Sequence, residues 1–236
     1  MPGYRAAIAP ESVYGTPVVL GAGHLLHLEA EGLVTAPERL AHREQRPAAS
    51  PQGGGVTRQT TSSVRCGGRL DLGLRYGGMD GLLRTMFGVR TTSAPSANIT
   101  RVAYSRSGGQ APSATLAVDK RTSVWEFAGL VARGWRIRGE AGRRVGVAVD
   151  VLARDATEAS AQAPATWTYA GADETLDRVL FGQGRLLLAP YSTVTPLADG
   201  DKRNVLAVEV GTAWPLDGAP STYTTTRAGH PFRSDP

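Results

Sequence analysis

Polar and apolar residues alternate through the segment SVRCGGRLDLGLRY, residues 63–76. One parity is mainly apolar, whereas the other carries glycine and the polar residues Arg65, Arg69, Asp71 and Arg75. A two-residue repeat is typical of a strand with one buried face and one exposed face. We therefore predict a single strand here, about 45 Å long at the usual rise per residue.

A second alternation covers residues 144–154. Valines and Ala153 share one parity, and the other includes Arg144, Asp150 and Arg154. This pattern predicts a second long strand. Long strands expose backbone hydrogen-bonding groups along both edges. We expect the edges of these two strands to be completed by further copies of the chain.

Between the two long strands, GGMDGLLRTMFG changes to a helical period. Its apolar residues are spaced i, i+3, i+4, i+7 and i+8, as on one face of a helix; they are Met79, Leu82, Leu83, Met86 and Phe87. Gly78 and Gly88 suit the two ends. The segment therefore predicts a short helix lying on a sheet.

The other segments predict shorter elements. HLLHLEAE, residues 24–31, predicts a first strand, and residues 34–63 predict a long loop rich in proline and glycine. Because ordinary connections are about 4 to 6 residues long, we interpret this loop as an extended arm ordered by a partner. We also expect a polar loop at 91–100, strands at 100–105 and 114–118, two strands before a turn at 139–142, a helical turn at 175–182, and strands at 184–190 and 203–214.

Composition agrees with a β-rich fold. The chain has 236 residues, of which 29 are glycine and 15 are proline, so many turns are expected and a helix bundle is disfavoured. Hydrophobic residues make up 41%, enough for a core. We predict one β domain over residues 1–214, including the arm at 35–63, and a polar C-terminal extension at 215–236.

The net charge is +5, and Lys120 and Lys202 are the only lysines among 26 basic residues. Such a preference for arginine throughout the chain indicates a GC-rich genome more than phosphate binding. No apolar run approaches the roughly 18 residues of a membrane span, so we expect a soluble protein without a membrane partner. The single Cys66 excludes an intrachain disulfide and has no second thiol with which to bind a metal.

The motifs of common enzymes are absent. The chain has no GxxxxGK[ST], HExxH or GxSxG segment. His24 and His27 point to opposite faces if they lie on a strand. The arginines between 133 and 144 form one basic patch, which suits a solvated hairpin or subunit contacts. We predict no catalytic residues, no metal and no cofactor.

The order of these features, with the ESVYGTP segment at 11–17, resembles the tail tube proteins of long-tailed bacteriophages over residues 11–155. The resemblance implies an antiparallel β-sandwich or barrel with one short flanking α-helix and a long extended arm. It implies hexameric rings, stacked into a hollow tube through which double-stranded DNA passes without specific binding. It further implies a place in the virion tail after assembly in the host cytoplasm, with tape measure and tail-end proteins as further partners.

The resemblance also suggests roles for particular residues. The arm would contact a neighbouring ring, through Arg43, Arg46, Pro47, Pro51, Gly53, Gly54, Gly55 and Arg58. The candidate lumen-facing residues are Arg65, Arg69, Asp71, Arg75, Arg144, Asp150 and Arg154. Six subunits with four strands each would give a barrel about 37 Å across, leaving roughly 25 Å after side chains for a duplex.

Two alternatives remain open from the sequence. One is a tail adaptor or terminator protein that forms a single ring and does not polymerise. The other is a monomeric β-sandwich that binds a carbohydrate or nucleic acid.

Overall fold

The computed structural model describes residues 5–44, 56–96, 99–106, 112–171, 177–183, 186–187, 202–213, 216–217 and 232–233. Of residues 36–44, 56–65, 99, 106, 183, 186–187, 202–203, 216–217 and 232–233 it describes the backbone only. The strands are β1 Arg5–Pro10, β2 Leu25–His27, β3 Ala30–Glu31, β4 Val34–Glu44, β5 Val56–Gly73, β6 Gly88–Ser96, β7 Ile99–Arg106, β8 Ala114–Asp119, β9 Val124–Glu140, β10 Gly146–Ala153, β11 Asp155–Thr157, β12 Leu186–Leu187, β13 Lys202–Arg203, β14 Ala207–Ala213, β15 Leu216–Asp217 and β16 Phe232–Arg233. The helices are α1 Asp80–Phe87 and two 3-10 turns, Pro164–Thr166 and Phe181–Gln183.

Ten of these strands form one antiparallel sheet with two layers that share β9. In layer A, the first half of β9 pairs with β8 and β11, and β8 continues to β1 and β2. In layer B, the second half of β9 lies between β14 and β10, and β10 continues to β5, which pairs with β3 and β4. The prediction of a mainly β, antiparallel fold with one flanking helix is confirmed.

The core lies between the two layers and α1. Both layers and the helix contribute buried apolar side chains to one cluster, including Ile8, Leu70, Leu72, Leu82, Met86, Leu116, Phe127 and Val149. A second cluster around Leu20 and Trp167 covers the other face of β1 and β8. Layer A is therefore buried on both faces in this region, whereas β10 in layer B alternates between buried and more exposed residues.

The helix forms where its period predicts it. Leu82 and Met86 are fully buried, and Met79, directly before the helix, is also buried. Phe87 packs edge-on against Trp135 of β9, with ring centroids 5.2 Å apart. This helix covers part of the core face, as expected for a short helix on a sheet.

The predicted loop at 34–63 is wrong, because most of it is paired strand. β4 pairs with β5 from Val34 opposite Gly67 to Glu44 opposite Val56, with an irregularity after Glu38. β5 therefore begins at Val56, earlier than Ser63. Threonine and valine favour extended backbone, and pairing between the two segments satisfies backbone groups that a loop would leave to solvent.

Several shorter predictions also change. Residues 91–100 are not a loop, because β6 pairs with β7 as a second hairpin. Residues 24–31 contain two short strands in different layers, and the two strands expected before the turn at 139–142 are one strand, β9. The predicted helical turn at 175–182 is described from residue 177 onward. There Arg178 and Leu180 form isolated β-bridges with Arg75 and Arg144, and a 3-10 turn begins at Phe181. Tertiary pairing decides each of these cases.

The two long alternating strands do not depend on other copies of the chain for their pairing in the sheet. β10 pairs with β5 from Gly146 opposite Gly73 to Ala153 opposite Cys66. The other edge of β10 pairs with β9. The expectation that their edges are completed by further copies is therefore wrong for β10 and for the part of β5 that pairs with it.

A single carboxylate connects the elements that meet where layer A begins. One oxygen of Glu11 accepts hydrogen bonds from the Gly15 N–H at 2.8 Å and the Ser113 hydroxyl at 2.8 Å. The other oxygen accepts from the Thr115 hydroxyl at 2.9 Å and the Gly129 N–H at 2.8 Å. Glu11 thereby links the end of β1, the start of β8 and the middle of β9.

Gly129 lies where β9 passes from layer A to layer B. Its φ is +63°, a left-handed conformation that favours glycine. A Cβ atom here would lie 2.8 Å from Cβ of Arg154 and 3.0 Å from Cε2 of Tyr14. The register of β8 against β9 also shifts in this region, between Ala114 and Leu116. The carboxylate of Glu11 therefore stabilises the irregular backbone at which β9 passes from layer A to layer B.

Three tyrosines in peripheral segments have raised pKa values, so each remains a neutral phenol to a higher pH than usual. Burial raises the pKa of Tyr14, whose ring lies under Arg154, to about 12. Burial also raises the pKa of Tyr104 and of Tyr169 to about 12. Each of these two phenols also donates a hydrogen bond to a carboxylate, Tyr104 to Asp80 and Tyr169 to Asp177.

We predict that Glu11→Gln lowers the free energy of unfolding by roughly 2–4 kcal/mol, because hydrogen bonds to a charged group contribute about 1.5–3 kcal/mol each and the amide cannot accept all four. Urea unfolding followed by circular dichroism measures the change. Glu158→Gln, on an exposed side chain, is the control. Equal midpoints for the two variants would contradict the role of Glu11.

We predict that alkaline pH destabilises the fold between pH 10 and about 12. The unfolded phenols ionise near 10, whereas the folded ones retain their protons to about 12, so the folded state binds more protons in this window and stability falls as pH rises. Urea unfolding across this window, with phenolate absorbance recorded in parallel, measures the loss. In Tyr104→Phe the pH dependence should be less steep, and an unchanged slope would contradict the prediction.

Candidate functional site

The sequence predictions point to the outward face of layer B as a charged surface. On β5, β10 and the second half of β9, residues of one parity point to the core and residues of the other point outward. Arg133 is exposed at an irregularity of β9, between the partners of Asp150 and Val151. We call the outward surface the polar face; it is formed by Arg69, Asp71, Arg133, Arg136, Arg138, Asp150 and Glu209. Four arginines and three acidic residues leave this face with a formal charge of +1.

Strand register brings these side chains together. Asp150 lies opposite Arg69 across the β10–β5 pair, and Ala148 lies opposite both Asp71 and Arg136. The small side chain of Ala148 leaves a shallow pocket of about 340 Å³, which Arg69, Asp150 and Glu209 also line. The centre of the face is therefore lined by charged groups around a small residue.

Four of the seven charged residues on the polar face form two ion pairs. Arg69 Nε lies 2.9 Å from Asp71 Oδ1, and this hydrogen bond raises the pKa of Arg69. Arg136 Nε lies 3.2 Å from Glu209 Oε1, across the β9–β14 pair. Both pairs are about half exposed, so each contributes little to stability. Their main effect is to reduce the attraction of the face for a polyanion.

The candidate lumen residues do not all lie on one surface. Arg69, Asp71 and Asp150 lie together on the polar face. Arg65 lies on β5, where the structure describes only its backbone. The remaining three residues, which lie elsewhere, are Arg75, Arg144 and Arg154.

These three arginines have partners of their own. Arg75 lies over the ring of Tyr169, 5.9 Å from its centroid. Arg144 pairs with Glu29 at 3.0 Å. Arg154 donates a hydrogen bond to the backbone carbonyl of Tyr14 at 3.2 Å. Period-two parity is a property of a continuous strand, and all three lie at or beyond a strand end.

Four members of the polar face were not among the candidate lumen residues: Arg133, Arg136, Arg138 and Glu209. Two of them lie between apolar neighbours in their strands, Arg136 in WRI and Glu209 in VEV. That local alternation predicts an outward side chain. Only the pairing of β9 with both β10 and β14 places the two residues beside Arg69 and Asp150.

The candidate arm lies on the β4–β5 hairpin. Arg43 is opposite Thr57, and Arg58 is opposite His42, in its paired part. Arg46, Pro47, Pro51, Gly53, Gly54 and Gly55 lie outside the described residues. The hairpin extends beyond the rest of layer B, because the last pair between β5 and β10 is Cys66 with Ala153.

A second hairpin, β6–β7, is fixed to the helix at its base. Asp80 of α1 accepts a hydrogen bond from the Tyr104 hydroxyl at 2.7 Å and pairs with Arg90 at 2.9 Å. Its other oxygen pairs with Arg84 at 2.9 Å. Most residues of β6 are exposed, including Val89. Asp80 therefore connects the solvent-exposed β6–β7 hairpin to α1.

Within the ranges described, no three His, Cys, Asp or Glu side chains lie close enough together to hold a metal ion. None of the described helices combines the length and apolar character needed to cross a membrane. The sequence matches no protein family and no curated protein. The candidate surfaces are therefore judged from their own geometry and charge.

We predict that Asp150→Asn combined with Glu209→Gln increases affinity for duplex DNA by about tenfold at low salt, because it leaves arginines of the polar face without acidic neighbours. Fluorescence anisotropy at several salt concentrations measures binding. Asp119→Asn with Glu158→Gln changes the net charge equally and lies off this face, so it serves as the matched control. If the control gains as much affinity, total charge determines binding and the pairing on the polar face does not.

Proposed function

We propose that this chain is a structural subunit of a bacteriophage tail tube, which assembles with copies of itself into stacked rings around a DNA conduit. The β-sandwich with one flanking helix is compatible with this role. The order of elements along residues 11–155 resembles that of tail tube proteins. The hairpin β4–β5 is the observation that carries the proposal.

This hairpin extends well past the sheet. Ten residues of β5, from Val56 to Arg65, lie beyond the last pair with β10 and pair with β4 alone among the described strands. At about 3.4 Å per residue this extension is roughly 33 Å long. A two-stranded hairpin is at best marginally stable in water unless something packs against it. A partner outside the subunit would supply that packing.

The edges of layer B support assembly between identical copies. One edge of β14 pairs with β9, and no strand among the described residues pairs with the other edge. The outer edge of β4, on the opposite side of layer B, is likewise unpaired among these residues. A contact between the β14 edge of one copy and the β4 edge of the next joins two different surfaces and is therefore heterologous. Repeated contacts of this kind form a closed ring when the rotation between neighbouring copies divides a full turn.

The strand number of layer B agrees with a conduit for a duplex. β14, β9, β10 and β5 are adjacent, and the outer edge of β5 pairs with β3 and β4, so layer B is five strands wide. Six copies joined from β14 to β4 would then give about 30 strands, a barrel roughly 46 Å across at the backbone. With the polar face inward, paired charges would line the lumen. Because each phosphate that is firmly neutralised adds affinity, compensated charges would let DNA pass without being held.

The proposal places the protein in the virion tail, after assembly in the host cytoplasm. Its partners are copies of itself, together with tape measure and tail-end proteins. A subunit that forms one ring at the end of a tail would use the same edges but would not polymerise. The length of the assembly therefore separates the tube subunit from an adaptor or terminator.

One observation favours a second candidate, a monomeric ligand-binding β-sandwich. β5 and β10 complete each other's pairing within the chain, and β9 completes the other side of β10. The central part of layer B thus needs no second copy to satisfy its backbone. In this alternative the polar face would contact a ligand directly.

We predict that the purified chain forms rings or tubes in electron micrographs, with a mass by light scattering well above the 24.8 kDa of one copy. Deleting residues 47–55 should leave a folded subunit that does not stack. The deletion leaves residues 45 and 46 between the paired Glu44 and Val56, so Gln45→Asn and Arg46→Gly are added to suit a two-residue turn. The full-length chain with only those two substitutions is the matched control.

The outcomes separate the candidates. A native chain that stays at 24.8 kDa at high concentration would favour the monomeric sandwich. Isolated rings without tubes would favour the adaptor or terminator. Tubes of normal length from the deletion variant would exclude residues 47–55 as the contact between rings. Circular dichroism of each variant establishes that the subunit is folded.

A further inference from the structure

Three arginines meet at the end of layer B opposite the β4–β5 hairpin. The backbone there is joined by three hydrogen bonds: Leu74 N–H to the Val145 carbonyl at 2.8 Å, Val145 N–H to the Val179 carbonyl at 3.0 Å, and Val179 N–H to the Leu74 carbonyl at 3.0 Å. Each of these residues has an arginine next to it in sequence. The arginines Arg75, Arg144 and Arg178 are thus brought together from three distant parts of the chain.

These arginines line a pocket of about 320 Å³, which we call the arginine pocket. Its other lining residues are His27, Leu28, Glu29, Gly73 and Leu74. Arg144 Nη1 lies 3.0 Å from Glu29 Oε1. Gly73 leaves room for this pair, since a Cβ atom there would lie 3.0 Å from the same carboxylate oxygen. The pocket is therefore open and polar, and its lining contains one acidic residue.

The charge of the arginine pocket is not balanced by its own lining. Three arginines and one glutamate give a formal charge of +2, taking His27 as neutral. Asp177, next to Arg178, is engaged by the hydroxyl of Tyr169 and does not line the pocket. This contrasts with the polar face, where neighbouring strands alternate in charge. Arg75 lies opposite Arg178, and like charges directly opposite each other repel, so an anion in the pocket would reduce this repulsion.

We propose that the arginine pocket binds a doubly charged tetrahedral oxyanion of the phosphate type. The planar guanidinium group presents N–H donors in a fork that matches phosphate oxygens. Arginine also remains charged at any physiological pH. The pocket volume corresponds to roughly ten water molecules at about 30 Å³ each, so a phosphate group fits together with part of a molecule that carries it.

This inference does not depend on the assembly of the chain. The arginine pocket is formed within one copy, at the end of layer B away from the β4–β5 hairpin. Free phosphate and a phosphate ester share the chemistry that the pocket recognises. The experiment therefore uses inorganic phosphate and glycerol phosphate as separate probes, with chloride holding the ionic strength constant.

We predict saturable binding of inorganic phosphate to the native chain, measured by isothermal titration calorimetry and by chemical shifts of arginine side chains. Arg178→Gln should weaken binding by about tenfold, because a hydrogen bond between charged groups is worth about 1.5–3 kcal/mol. Glu29→Gln should strengthen binding, because it removes the carboxylate that competes for Arg144. Arg143→Gln is the control, since Arg143 pairs with Glu140 at 3.7 Å and does not line the pocket.

Absence of saturable phosphate binding by the native chain would overturn the proposal. Equal weakening by Arg143→Gln and Arg178→Gln would also overturn it, because binding would then reflect total charge. Tighter binding of glycerol phosphate than of inorganic phosphate would identify a phosphate ester as the ligand, and the reverse order would identify free phosphate. If Arg178→Gln fails to fold, the opposite effect expected of Glu29→Gln tests the same pocket.

Discussion

The four hydrogen bonds accepted by Glu11 are the interaction on which the architecture depends. They join β1, β8 and the irregular part of β9 around Gly129, where the sheet passes from layer A to layer B. A partly buried carboxylate needs such donors, because an unsatisfied charge there would cost several kcal/mol. The donors in turn need the carboxylate, since two are backbone N–H groups. With β9 redirected at this point, one sheet can enclose a core between its own two layers.

The shared strand also determines which surfaces are left for partners. Because β9 pairs with β10 and β14 in its second half, the long strands β5 and β10 become internal to layer B. Among the described residues, the unpaired edges of layer B then lie on β14 and on β4. The central strands of layer B are therefore satisfied within one copy of the chain. The proposed assembly would use the projecting hairpin and the outer edges of layer B.

Two charged surfaces of layer B differ in how their charges are arranged. On the polar face, two arginines lie within ion-pair distance of an acidic residue, Arg69 with Asp71 on β5 and Arg136 with Glu209 between β9 and β14. In the arginine pocket, three short segments each contribute an arginine and one glutamate opposes them. Paired charges weaken the attraction for an anion, whereas a cluster of one sign strengthens it. Under the two proposals made above, the polar face would contact a passing polyanion and the arginine pocket would bind a small anion.

The sequence by itself determined the local patterns: the helix at 80–87, the alternation of β5 and β10, and the outward direction of Arg69, Asp71 and Asp150. These follow from side-chain period, which depends only on neighbours along the chain. It could not determine that residues 34–44 pair with 56–67, that β5 and β10 complete each other, or that Arg75 and Arg144 meet Arg178 near Glu29. Pairing between distant strands depends on which edges the fold leaves available, and the redirection of β9 decided that. Charge alone is visible in the sequence, but only tertiary structure decides whether a charge has a neighbour of opposite sign.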